Sequence, residues 1–419
     1  MGVIVCGLAG RAALDKLLAL RGGGELVAQW AQLFSVVELV SGAALSGVGT
    51  GVSVAVAQTH DARAQRAVLG DALRLGLLVS ACVAVAALPL AFVMPAQASW
   101  LALGAAVGLL TVVHGTFNGY WLGQKHRGRM LLLALALALA PLAAAVAAPV
   151  ALVLPIVAVA HALPGLALLA FVPRGAWWRS VAARRAEPAP PLRPADPVAA
   201  PLPPPAALAA EPRAVSPLRA YVLPGLVIGI LSPASTWAAR ALVAERLSWH
   251  DAGVLQALWR LTDWVGVIAA GVLSIFWLPR LSAAAGTARV RAVLRQATLA
   301  TALPSAAALT ALFVVQAPAL ALLYDASFRV PSAAAAMLFA GVALRVVAWA
   351  GLVALYAQRR TVAIAVGELL SLPLFAALVA AWPGALTLER VCAAWLAAFA
   401  AYAAFNLCAG LRAPNGAAR

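Results

Sequence analysis

Apolar runs long enough to cross a membrane recur along the whole chain. A helix needs about 20 apolar residues to span a hydrocarbon layer of about 30 Å. Segments of this kind cover residues 2–20, 26–57, 67–94, 99–122, 130–148, 150–172, 218–243, 252–278, 293–315, 332–357, 361–382 and 388–411. The pattern predicts an all-α polytopic membrane protein with about twelve transmembrane helices.

One long stretch between the sixth and seventh runs cannot lie in a membrane. Residues 174–216 hold many prolines together with arginines such as Arg184 and Arg185. A segment this polar and proline-broken cannot build a packed core, so it is expected to be an extended tether. We therefore predict an N-terminal six-helix bundle over residues 1–173, a cytoplasmic linker over 174–216 and a C-terminal six-helix bundle over 217–419.

Short sequence similarities between the two halves predict an internal repeat with an offset of about 225 residues. The sequence RAVL that begins at Arg66 recurs at Arg291, and Gln29 corresponds to Gln256. Two pseudo-symmetric bundles with the same orientation would follow. The alternative is chance similarity between alanine-rich helices.

Composition and charge narrow the class of protein. The chain is 64% hydrophobic and 11% charged, with a mean hydropathy of +0.95, which excludes a soluble globular protein. Its net charge of +16 lies in short gaps between apolar runs and not in a separate basic module, so we expect no nucleic-acid partner. Alternate gaps are basic, and the excess of Lys and Arg on the cytoplasmic side predicts that both termini and the linker are cytoplasmic.

Several ionisable residues lie inside the predicted spans. They are Arg11, Asp15, Glu38, Asp71, Arg74, Arg260, Asp263, Arg345 and Glu368. Each would cost about 2.5 to 3.5 kcal/mol at a lipid-facing helix centre, so these side chains are expected to face an interior. Arg260 and Asp263 share one helix face, as do Arg11 and Asp15. Arg345 and Glu368 lie on consecutive helices and could meet.

Two interpretations of these charges are open. They are either internal ion pairs with no substrate or the lining of a hydrated cavity, and the second is favoured for Arg260, Asp263, Arg345 and Glu368 because apolar residues would pack two helices equally well. His114, together with Asn118, could join that cavity. A lone histidine in an apolar helix is more often simply hydrogen-bonded.

The eighth span carries the most specific sequence of the chain. It reads GVLQALWRLTD from Gly253 to Asp263, and LPRLS follows from Leu278 to Ser282. These stretches, with residues 338–345 and Gly367-Glu368, resemble the O-antigen and enterobacterial-common-antigen translocases. Those proteins are Wzx-type flippases of the multidrug/oligosaccharidyl-lipid/polysaccharide exporter superfamily. One departure is Val342, which stands where family members often carry an acidic residue.

The resemblance implies two bundles arranged as a V around a central polar cavity that opens alternately to either side. It also implies translocation of an undecaprenyl-diphosphate-linked oligosaccharide from the cytoplasmic to the periplasmic leaflet of a bacterial inner membrane, for surface polysaccharide assembly. Membrane lipids, a polysaccharide polymerase and a chain-length regulator would be the partners. No cofactor or metal is expected.

Specific residues are assigned to this function. The substrate-binding candidates are Arg240, Arg260, Arg345, Asp263, Gln29 and Gln256. The ion-coupling candidates are Asp15, Asp263 and Glu368. The alternatives are a drug/cation exporter of the same superfamily and a membrane polymerase or ligase that acts on the same lipid. Because no motif supports acid/base, nucleophilic or metal catalysis, we expect a protein that is not an enzyme.

Overall fold

The computed structural model describes residues 2–57, 59, 61–93, 98–172, 216–285, 287, 289–358 and 360–412. These residues form α-helices joined by short turns and contain no strand. The first half contains α1 (Gly2–Ala44), α2 (Thr50–Ala57), α3 (Ala62–Val93), α4 (Ala98–Gly123), α5 (Arg127–Ala147) and α6 (Val153–Leu169). The second half contains α7 (Ser216–Arg246), α8 (Trp249–Val272), α9 (Leu278–Ala284), α10 (Val290–Val314), α11 (Gln316–Leu323), α12 (Ser332–Ala357), α13 (Thr361–Leu369), α14 (Leu372–Ala380) and α15 (Leu388–Leu411).

Helix α1 is a hairpin of two antiparallel limbs. The backbone leaves the helical region at Gly22 and Gly23, and Gly23 has a φ of 61°, which glycine adopts without steric cost. The guanidinium carbon of Arg11 lies 5.4 Å from the centre of the Phe34 ring. In a straight helix these positions would be about 35 Å apart. Residues 2–21 and 24–44 are therefore two separate membrane crossings.

The second crossing of each half contains a π-helical segment. Leu45–Gly49 connects α1 to α2, and Leu273–Trp277 connects α8 to α9. The two segments lie at equivalent points of the predicted repeat. In a π-helical turn each backbone hydrogen bond spans one residue more than in an α-helix, and such turns occur often at functional sites.

Twelve crossings result from these elements. Ten described stretches are long and apolar enough to span a membrane, and one of them contains both limbs of α1. Helix α7, with 31 residues, adds the remaining crossing. The all-α fold class is confirmed, and α12 and α15 begin and end at the residues that the apolar runs predict.

Each half forms its own set of helix contacts. In the first half α4 packs against α1, α3 and α6, and in the second α12 packs against α10 and α15. Helix α1 also packs against α7 and α8, which joins the halves along one seam. Residues 174–215 lie outside the described residues, so the linker and the bundle boundaries stay predictions.

The seam reaches backbone contact at two levels, and one of them is the end of the molecule that carries the turn of α1 and the turn before α8, which we call the hairpin end. At the hairpin end, a Cβ atom on Gly253 would clash with the backbone of Gly24. About 27 Å further along the second limb of α1, a Cβ on Gly229 would clash with the backbone of Gly42. Helices that lack side chains at such points approach to backbone contact. The charge distribution predicts that the hairpin end is periplasmic.

Candidate functional site

Two connected pockets lie at the seam, within the membrane-spanning part. We call the first the arginine pocket; it has a volume of about 330 Å³ and is lined by Arg11, Asp15, Arg260, Asp263, Trp264, Tyr324, Arg345 and Trp349, with apolar neighbours. The second, the histidine pocket, has a volume of about 440 Å³, and its polar lining includes Arg11, Asp15, Glu38, Ser41, His114, Asn118, His161 and Arg260. Arg11, Asp15 and Arg260 belong to both pockets. The two pockets are therefore adjacent and share these charged residues, and we call the two together the cavity.

Arg260 joins the two halves at the centre of this cavity. Its Nε donates a hydrogen bond to Oδ2 of Asp15 over 3.1 Å, and the Asp15 side chain is 4% exposed. The pair links the first limb of α1 to α8, which are 245 residues apart in sequence. A carboxylate this deeply buried requires a cationic partner, so the pair is a fixed part of the cavity wall.

Asp263 lies between two arginines. Its Oδ2 is 3.7 Å from Nη1 of Arg260, and its Oδ1 is 3.6 Å from Nη2 of Arg345. Both distances exceed those of a good hydrogen bond. The Asp263 side chain is 35% exposed to the cavity. Two guanidinium groups therefore face a single anion, which is held by charge more than by hydrogen bonds.

Aromatic rings hold Arg345 in this position. Its guanidinium carbon lies 4.9 Å from the centre of the Trp349 ring and 5.9 Å from the rings of Trp395 and Phe399. Gly266 on α8 leaves room for it, because a Cβ there would come within 2.9 Å of Nη2. Cation–π contacts and the glycine position direct the guanidinium of Arg345 toward α8.

The histidine pocket brings together residues that the sequence did not connect. The rings of His114 and His161 are 5.8 Å apart, and His161 also lies against Phe34 at 5.3 Å. Glu38 on the second limb of α1 is exposed to the pocket. His161 was missed, and its only signal was a second histidine in an apolar helix. Among the described residues, no three His, Cys, Asp or Glu side chains are grouped to hold a metal ion.

Arg240 occupies a different environment from the cavity arginines. It is 3% exposed and is not among the residues that line the two pockets. Its guanidinium donates to the carbonyl oxygen of Ala31 at 2.9 Å, to Oε1 of Gln32 at 3.3 Å and to Oγ of Ser35 at 3.0 Å. It also donates to Oε1 of Gln256 at 2.8 Å. Arg240 thus ties α7 to α1 and α8 through neutral acceptors.

The two glutamines predicted to bind substrate also lie away from the cavity. Gln256 is 5% exposed and accepts from Arg240. Gln29 donates to Glu25 over 2.9 Å and lines a separate pocket of about 370 Å³ near the hairpin end, with Trp100 and Trp249. The structure therefore places Arg260, Arg345 and Asp263 together in the cavity and Arg240, Gln29 and Gln256 outside it.

Glu368 and Arg345 do not pair as the sequence suggested. Oη of Tyr402 on α15 donates to Oε1 of Glu368 over 2.9 Å, while Arg345 faces Asp263. Glu368 lies on α13 and does not line either pocket of the cavity. Its role in ion coupling stays a prediction, as do those of Asp15 and Asp263.

Comparison with solved structures identifies the architecture. The chain is similar to a multidrug resistance MATE family transporter of the MOP superfamily in its inward-facing conformation, with 15% identity over 97% of this chain and 93% of that one, and a TM-score of 0.67. An outward-facing conformation of such a transporter matches with 16% identity over 98% and 94% of the chains, and a TM-score of 0.60. This protein has the MATE transporter fold. It is a multi-pass membrane protein with a fold that has been captured open to either side.

Another structure with this fold bears on the cavity. A MOP superfamily transporter from Pyrococcus furiosus matches with 15% identity over 98% of this chain and 91% of that one, and a TM-score of 0.60. That protein was described as having a binding pocket of reverse polarity that suggests a different function. A scan against protein-family models finds no match, and neither does a search of curated proteins.

Proposed function

We propose that this protein is an alternating-access flippase for a polyprenyl-diphosphate-linked oligosaccharide, which it moves between the leaflets of the membrane during surface polysaccharide assembly. The observation that carries the proposal is the pair of guanidinium groups, Arg260 and Arg345, that face one anion in the membrane-spanning part. Arginine presents several donors in a planar fork and is the residue best suited to bind phosphate groups.

The charge of the arginine pocket supports an anionic substrate. Its lining contains three arginines and two aspartates. Trp264 and Trp349 add indole rings, which can pack against the apolar faces of sugars. The diphosphate and the first sugars would occupy this polar space, while the polyprenyl chain stays in lipid beside the seam.

The contacts along the seam agree with alternating access. The fold is known in inward-facing and outward-facing conformations, and the contact between Gly24 and Gly253 and the nearby Arg240 hydrogen bonds close the hairpin end here. Opening that end would break these contacts, and substrate would then leave on the periplasmic side that the sequence predicts.

A drug/cation exporter is the second candidate, because multidrug transporters share this fold. Glu38, which is exposed to the histidine pocket, is the observation that favours it, since a carboxylate attracts a cation. The Asp263 arrangement favours the flippase instead, because that carboxylate already has two cationic partners. A polymerase or ligase receives less support, since the solved structures with this fold are transporters.

Complementation of a bacterial strain that lacks its own translocase for lipid-linked oligosaccharides tests the proposal. We expect the unchanged protein to restore surface polysaccharide, and Arg260→Ala and Arg345→Ala to abolish it at equal protein levels in the membrane. Arg291→Ala is the matched control, because Arg291 is exposed on α10 outside the cavity. Normal polysaccharide in both cavity variants would exclude the arginine site, and ethidium efflux without polysaccharide would favour the drug exporter.

A further inference from the structure

Asp263 is the less constrained of the two carboxylates in the arginine pocket. Asp15 is buried and accepts a hydrogen bond from Arg260 over 3.1 Å. Asp263, in contrast, approaches its two arginines only to 3.6 and 3.7 Å and is 35% exposed. At these distances neither contact is a hydrogen bond that fixes the carboxylate. Asp263 can therefore leave the two guanidinium groups without disturbing the fold.

The arginines would keep their positions if Asp263 moved away. Nε of Arg260 stays bonded to Asp15, and Arg345 is held against Trp349. Each arginine would then present a free Nη group to the same point of the pocket. The site is consequently built before its ligand arrives, and Asp263 occupies it.

We propose that Asp263 is a built-in competitor for the diphosphate group of the substrate. In the empty carrier its carboxylate neutralises Arg260 and Arg345, and a diphosphate displaces it because two phosphate groups can engage both forks at once. When the carrier reopens, Asp263 returns and helps to expel the diphosphate. The inference rests on the proposed function, since it assumes that the cavity takes a diphosphate-linked substrate.

Competition of this kind predicts a substitution that strengthens binding. Removing the charge of Asp263 removes both the competing anion and its repulsion of the ligand. Because the two ion pairs of Asp263 are loose and therefore weak, we expect affinity for a diphosphate to rise about tenfold, or about 1.4 kcal/mol. A merely structural role for Asp263 would instead leave the affinity unchanged or lower it.

The test is calorimetric titration of inorganic pyrophosphate into the purified full-length protein in lipid nanodiscs. We expect Asp263→Asn to bind about tenfold more tightly than the unchanged protein, and Asp263→Glu to restore ordinary affinity. Glu389→Gln, in the exposed first turn of α15, removes the same charge far from the cavity and should change nothing. In a translocation assay, Asp263→Asn should lower both the half-saturating substrate concentration and the maximal rate, because release becomes slow.

The outcomes separate this inference from the proposed function. If pyrophosphate binds and Arg260→Ala abolishes binding, but Asp263→Asn does not strengthen it, the competitor role is wrong and the arginine site remains. If neither the unchanged protein nor Asp263→Asn binds pyrophosphate, both ideas are wrong. Should Asp263→Asn fail to fold, as judged by gel filtration, the claim that Asp263 leaves without disturbing the fold is itself overturned, and Asp263→Ser decides the competition by the same affinity criterion.

Discussion

Arg240 and Arg260 lie on neighbouring helices within the membrane-spanning part, yet they have different kinds of partners. Arg240 is 3% exposed and donates to four neutral oxygen atoms, three of them across the seam. The side chain of Arg260 is 21% exposed and lies between two carboxylates. Only Arg260 can exchange a partner for a ligand without leaving acceptors buried and unsatisfied. The difference agrees with the proposal that Arg260 binds substrate, while Arg240 holds α7 against α1 and α8.

Arg240→Met should give the largest change in stability. The substitution leaves the oxygens of Gln32, Ser35 and Gln256 without their donor, and hydrogen bonds to a buried charged group are each worth about 1.5 to 3 kcal/mol. We expect the free energy of unfolding to fall by about 3 kcal/mol in denaturant titrations, with unchanged pyrophosphate affinity of the folded protein. Arg246→Met, at the exposed end of α7, is the control and should change stability less, because Arg246 is exposed and, among the described residues, donates only to the carbonyl oxygens of Val379 and Ala380. A loss of pyrophosphate affinity in Arg240→Met would show that Arg240 takes part in binding.

Gly253→Ala should have the next largest effect. The added Cβ would clash with the backbone of Gly24, and forcing such a contact costs about 1 to 3 kcal/mol. Gly271→Ala on the same helix is a matched control, because nothing lies within 4 Å of its Cβ position. We expect Gly253→Ala to widen the hairpin end, measured as the distance between spin labels on α1 and α8. Equal distances in both variants would show that this contact does not close the seam.

Glu368→Gln should change the free energy of unfolding by less than about 1 kcal/mol, since Gln retains an oxygen that accepts from Tyr402. If Glu368 couples transport to an ion, this variant should transport at a rate that no longer depends on the proton or sodium gradient. Asp71→Asn, which removes a carboxylate from a predicted span of the first half, is the variant whose gradient dependence is compared with that of Glu368→Gln. Gradient dependence that survives in Glu368→Gln would remove Glu368 from the coupling candidates.

Deletion of residues 188–205 should have the smallest effect. Two bundles that rock against each other need only a loose connection, and a shortened flexible linker changes chain entropy only slightly. We expect unchanged surface polysaccharide in the complemented strain. Loss of export from a deletion protein that still inserts into the membrane would show that the linker has a direct role.

The helices were predictable because crossing a membrane imposes a length and an apolar composition on each segment. The α1 turn was also predictable from the glycines at its centre. The partners of the charged side chains inside the spans were not predictable. Arg11 and Asp15 share a helix face by spacing, but Asp15 is hydrogen-bonded to Arg260, 245 residues away. Such pairs depend on how α1 meets α8.

The difference between Arg240 and Arg260 could not be predicted from the sequence either, because it also depends on how the helices pack. Both are arginines inside apolar spans, and the sequence assigned both to substrate. The acceptors of Arg240 lie mainly on the second limb of α1, so only the packing of that limb against α7 shows that both Nη atoms of its guanidinium are already hydrogen-bonded. The pairing of His114 with His161 likewise depends on the packing of α4 against α6.

Translocation of a fluorescent polyprenyl-diphosphate oligosaccharide in proteoliposomes tests the central claim most directly. The protected fraction is read after a membrane-impermeant quencher is added. The unchanged protein and Arg291→Ala should move the lipid between leaflets at the same rate, while Arg260→Ala and Arg345→Ala should be slower by about a hundredfold, equivalent to about 2.7 kcal/mol. Equal rates in all four proteins, or no translocation by the unchanged protein, would contradict the account.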